Sequence, residues 1–70
     1  MNNTYTAILK RDGDWWIGWI EEIPGTNCQE NSREALLQTL REVLQEALAF
    51  NRQEALEAAG EDYQEESVAL

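Results

Sequence analysis

The chain has 70 residues, with 14 acidic side chains, 5 basic ones and a formal net charge of −9. That length suits one domain over residues 1–70, with a core that buries about 60% of the surface the unfolded chain exposes. The charge argues against direct binding of DNA or RNA, whose phosphates are held through Lys and Arg, and suits a basic protein partner steered by its field.

Residue types exclude more. Histidine is absent and Cys28 is the single cysteine. Intrachain disulfides are therefore impossible, and a zinc site lacks its usual ligands. Small domains without either support are commonly stabilised by association, so a homodimer or higher oligomer is expected. The apolar run from Trp15 to Ile20 is far short of the roughly 20 residues of a spanning helix. Met1, Asn2, Asn3 and Thr4 lack the basic flank of a secretory signal. A cytoplasmic protein without membrane contact is the expectation.

Residues 5–10 are short and rich in β-favouring types, and predict a strand. Asp12 and Gly13 mark a turn, and Trp15 to Ile20 predicts the returning strand of an antiparallel hairpin. In that strand Trp15, Ile17 and Trp19 share one face, and Trp16, Gly18 and Ile20 the other. Both faces are apolar, so the second is expected to meet a loop, a subunit or a partner. Gly18 suggests a bulge or a close approach of another chain. Glu21, Glu22, Ile23, Pro24 and Gly25 break the strand with a tight turn. Residues 26–30 give a weak third strand.

Ser32 is a good helix N-cap, with Glu34 in the first turn. Leu36, Leu40, Val43, Ala47 and Phe50 recur at helical spacing, flanked by Leu37, Leu44 and Leu48. The helix is expected to reach about residue 50. A continuation or a second short helix follows over residues 52–59, and Gly60 stops it. Residues 61–70 alternate as a strand would, or form an acidic tail. A short strand added to the sheet edge is the favoured reading. The fold class is α+β: three to four antiparallel strands on one main helix.

Little in the chain suggests catalysis. Histidine-based schemes are closed, and the 4 glycines are scattered rather than grouped in a phosphate loop. Cys28 reads as a structural thiol. Asp12 and Asp14 flank a turn glycine, Glu21 and Glu22 point to opposite sides of an extended chain, and Glu42 and Glu46 lie on the wet side of the helix. No cofactor or metal is expected. The aromatic cluster is the remaining candidate. Trp15 and Trp19, with Ile17, fit a core under the helix. Trp16, on the other face, is weighed evenly between core and interface anchor.

In order, residues 5–10, the Asp12, Gly13 and Asp14 turn, the tryptophan run, Glu21 to Gly25, and Asn27, Cys28 and Gln29 before a capped leucine-rich helix resemble the HicB-type antitoxin family. The resemblance covers nearly the whole chain, most strongly residues 5–48. It implies a partial ribonuclease-H-like fold, β-β-β-α-β, with residues 63–70 as the last strand. It also implies a non-catalytic role: binding and neutralising HicA, a small basic RNA-cleaving toxin. The operator-binding domain usual in the family has no counterpart in these residues, so the chain resembles a stand-alone member. Glu30 also stands where relatives often carry glycine. Trp16, Glu21, Glu22, Glu65 and Glu66 are the candidate partner-binding residues. The alternatives are an orphan homo-oligomeric scaffold without a toxin, and a metal-dependent nuclease remnant using Asp12, Asp14 and Glu21.

Overall fold

The computed structural model describes residues 4–69. In chain order its elements are β1 (Ala7–Asp12), β2 (Trp15–Ile20), β3 (Cys28–Glu30) and α1 (Arg33–Ala59). The strands form one antiparallel sheet in the order β1-β2-β3, and α1 packs across one face. The fold is α+β, with three strands on one helix.

Gly13 and Asp14 alone link β1 to β2, and Gly13 has a φ of 64°. A positive φ at the first of two linking positions matches the twist of paired strands, and glycine adopts it without a Cβ clash. The tight link lets pairing run up to Asp12, so β1 lies two residues later than the predicted 5–10. At the other end the Glu21 amide donates to the Thr6 carbonyl at 2.8 Å and prolongs the ladder.

The register sets the two faces. Ala7 pairs with Ile20, Leu9 with Gly18 and Arg11 with Trp16; Ile8 pairs with Trp19, Lys10 with Ile17 and Asp12 with Trp15. Ile20, Leu36 and Leu40 are the buried hydrophobic residues, and Ala7, Leu9, Trp16 and Leu44 pack around them. The helix therefore covers the Trp16, Gly18 and Ile20 face. This reverses the expectation that Trp15, Ile17 and Trp19 lie under it. Gly18 supplies the physical reason. A Cβ there would sit 2.5 Å from the Ile8 carbonyl oxygen and 3.1 Å from Leu36 Cδ2. The helix seats on the face that offers this gap, and the continuous pairing shows a close approach rather than a bulge.

β3 is shorter than the predicted 26–30, because Thr26 does other work. Its side chain is buried, and Oγ1 accepts the Ile20 amide at 2.8 Å and donates to the Ile23 carbonyl at 2.9 Å. One hydroxyl thus closes the end of β2 and ties down the turn containing Pro24. β3 is tied to the helix by the Thr39 hydroxyl, which donates to Glu30 Oε2 at 2.8 Å.

Ser32 caps α1 as expected, its Oγ accepting the Ala35 amide at 3.1 Å. The helix does not stop near residue 50; it continues for 27 residues to Ala59. Alanine, leucine, glutamate and glutamine dominate its second half, and their propensity carries the helix past Asn51. Gly60 ends it, with its amide on the Leu56 carbonyl at 3.1 Å.

The predicted last strand does not form. Residues 61–69 are exposed and have no strand pairing, and Leu70 lies outside the described residues. Gly60 and Asp62, at φ 71° and 59°, reverse the chain. It then runs back beside α1, where Glu65 meets Arg52 at 2.9 Å. The length of the helix explains the missing strand. Ala59 lies ~22 Å beyond Leu44 along the axis at the standard helical rise, so the segment starts well beyond its own sheet.

Candidate functional site

The face of the sheet opposite α1 has no cover among the described residues. Its centre is the stripe Trp15, Ile17 and Trp19 on β2, with Ile8 opposite Trp19 and Gln29 opposite Ile17. Trp15 is 48% exposed and Trp19 36%. Strand alternation places the three side chains on one face of β2, where they form one surface. A groove of about 430 Å³, bordered by Ile17, Trp19, Asn27 and Gln29, opens beside the stripe where β3 stops short. Lys10, Asp12 and Asp14 give the tryptophan stripe a charged margin at the hairpin end.

The stripe has the composition of a contact surface. Tryptophan presents a large rigid surface at low entropic cost, and it is enriched where interfaces hold most of their energy. Among the described residues, no group of three or more His, Cys, Asp or Glu could hold a metal ion. Asp14 and Glu21 stand at opposite ends of β2, ~20 Å apart by strand rise, so they share no site with each other. Cys28 is half-buried, and its thiol donates to the Thr26 carbonyl at 3.4 Å. Burial, with the nearby charge of Glu30, pushes the thiol up and away from the reactive thiolate.

The five candidate binding residues do not converge. Trp16 lies on the helix side, half-buried against the core, with the Arg11 guanidinium 5.5 Å from its ring centroid. That placement answers the even weighing in favour of packing. Glu21 and Glu22 sit in the turn after β2. The Glu22 carboxylate accepts the Thr6 amide at 2.8 Å, and this bond holds it below the usual carboxylate range. Glu65 and Glu66 lie beside the far half of α1, in a molecule 51 Å long. The hydrogen bond from Arg52 lowers Glu65 and the reciprocal bond raises Arg52.

The residues missed as a site are Trp15, Ile17 and Trp19. Alternation separated them from Trp16 but did not say which set the helix covers. Gly18 carried the missing signal: the strand face with the smallest residue is the one another element can approach most closely.

No protein family, curated protein or solved structure matches this chain. Among the described residues, no helix is long and apolar enough to cross a membrane.

Proposed function

We propose that this chain is a non-catalytic, antitoxin-like binding protein whose partner is a small basic RNA-cleaving protein of the HicA type. The observation that carries the reading is the exposed stripe of Trp15, Ile17 and Trp19 on an uncovered sheet face. A surface of this kind is typical of interaction sites. The net charge of −9 favours a basic partner and repels free nucleic acid. The antiparallel β1-β2-β3 sheet followed by a helix also supports a partial ribonuclease-H-like reading, since these are its first four elements in order. Cytoplasmic location follows from that role.

Pull-down of the tagged chain from its native cell, followed by an RNA-cleavage assay of whatever basic protein binds in equal amount, tests the proposal. The chain is expected to suppress the cleavage. Trp15→Ala with Trp19→Ala is expected to weaken binding at least about 30-fold, the equivalent of a 2 kcal/mol hot spot. Recovery of this chain alone, or a bound protein whose cleavage continues, overturns the reading.

A further inference from the structure

We propose that residues 63–69 form a fourth strand on β1 of a second copy of this chain, reciprocally, so that two copies exchange strands. Three observations carry this.

The first is that β1 has an open edge. It is the outer strand of the sheet, with six residues and, among the described residues, no neighbour on its far side. Such edges recruit an extended segment through unpaired backbone groups.

The second is complementarity. Lys10 and Arg11, the one adjacent basic pair in the chain, lie on β1. Glu65 and Glu66 lie in the unpaired segment. An antiparallel register that sets Glu66 opposite Lys10 also sets Glu65 opposite Arg11 and Val68 opposite Ile8. Ser67 and Ala69 then fall opposite Leu9 and Ala7, on the helix side, where small residues fit. Ala69 and Val68 thus meet Ala7 and Ile8 at similar size, Glu66 and Glu65 meet Lys10 and Arg11 with opposite charge, and Ser67 alone meets a larger residue, Leu9. A parallel register that matches the same charges sets Gln64 against Leu9, Ser67 against Asp12 and Asp62 against Ala7, and keeps a single apolar pair, Tyr63 with Ile8.

The third is reach, which decides between one copy and two. Glu65 lies level with Arg52, held by the 2.9 Å ion pair. Four more extended residues travel ~13 Å, about nine residues of helix at 1.5 Å each. Fully extended along the helix, the segment would bring Ala69 at most level with residue 43, at the margin of the part of α1 that packs on the core. Within one copy Glu65, five residues past Gly60, reaches back at most ~17 Å even when released from Arg52, short of the ~22 Å to Leu44, so it does not pair with β1 of its own chain. The same long helix projects it past its own sheet, toward a neighbour. The Arg52–Glu65 pair that holds it is exposed and readily exchanged for another partner.

The test is solution mass of the full chain by light scattering. The wild type is expected at about 16 kDa, twice the chain mass of 8.0 kDa. Lys10→Glu and Glu66→Lys are made in separate chains; neither side chain has a hydrogen bond or ion pair among the described residues, so the monomer fold is preserved. Each variant is expected to be monomeric where the wild type is dimeric, through like charges placed opposite each other. Mixing the two variants is expected to restore a dimer, because each segment then meets an edge of opposite charge in the other chain. A wild-type monomer at the highest soluble concentration overturns the proposal. So does a dimer that both variants retain, or a mixture that stays monomeric. The Trp15 and Trp19 variants test the toxin-binding reading separately, since neither residue lies on the β1 edge.

Discussion

The two halves of α1 are made of similar residues and live in different surroundings. In the first half Leu36 and Leu40 are buried against Ile20, and Leu44 packs beside them. In the second half Phe50 is 59% exposed, and the helix has the returning segment for company rather than a sheet. One half is held by packing and the other by propensity. Side-chain bonds one turn apart, such as Gln53 to Glu57 at 3.1 Å, add a little. The last turn carries no basic residue to oppose the helix dipole. The comparison teaches that periodicity reports what a helix could bury, while the length of the sheet decides what it does bury. A strand of six residues spans ~20 Å and a helix of 27 spans ~40 Å, so half of the apolar stripe has nothing beneath it.

Truncating a leucine in each half breaks that comparison most directly. Leu36→Ala is expected to cost about 2–5 kcal/mol, because a fully buried side chain leaves a cavity. In a domain of this size that approaches the whole stability. Leu56→Ala, on the projecting half, is expected to change stability by less than about 0.5 kcal/mol. Urea unfolding followed by tryptophan fluorescence measures both. Equal losses at the two positions would show that the halves unfold as one packed unit.

A smaller effect is expected where the sheet meets the Pro24 turn. Thr26→Val keeps the shape of the buried side chain and removes its hydroxyl. The Ile20 amide then loses its acceptor and the Ile23 carbonyl its donor. The expected cost is about 1–3 kcal/mol, the range for a buried group left unpaired. Amide exchange sharpens the comparison. The Ile20 amide and the first half of α1 should exchange at the global rate in wild type, and residues 50–59 faster. In Thr26→Val the Ile20 amide alone should lose protection beyond the global change.

Much of the fold is written locally. Gly13 signals the hairpin, Pro24 the break after β2, and Ser32 the helix start, because each acts through its own backbone geometry. What local signals do not carry is which partner an apolar surface finds. Trp16 and Trp19 have the same chemistry, and only the close approach at Gly18 separates the covered face from the open one. The alternation in residues 63–69 shows strand-forming capacity, but the length of α1 removes the edge it would join. Thr26 was read as a strand residue because a hydroxyl's role depends on a turn three residues away. The open tryptophan face was visible as composition and hidden as placement.

The smallest effect separates the two carboxylates whose partners hold them below their ordinary value near 4.5. A carboxylate with a lowered folded value stabilises the fold fully above its unfolded value. That contribution is lost as pH falls through the folded value. The two windows therefore share an upper edge near the ordinary value of 4.5 and extend downward from it. Their reach is different. Glu22 closes the sheet by accepting the Thr6 amide, so its protonation loosens the end of β1 and the whole domain with it. Glu65 holds a segment against the projecting helix, so its protonation frees that segment and leaves the sheet as it was. Glu22→Gln is expected to flatten the fall of stability with acid, seen as a smaller change in urea midpoint between pH 6 and 3. Glu65→Gln is expected to leave that slope unchanged in the monomer and to raise amide exchange beside Arg52 at neutral pH, where added salt should have the same effect on wild type. An unchanged slope in Glu22→Gln would mean that the Thr6 bond is replaced by water at no cost, and that the sheet end is as loosely held as the tail.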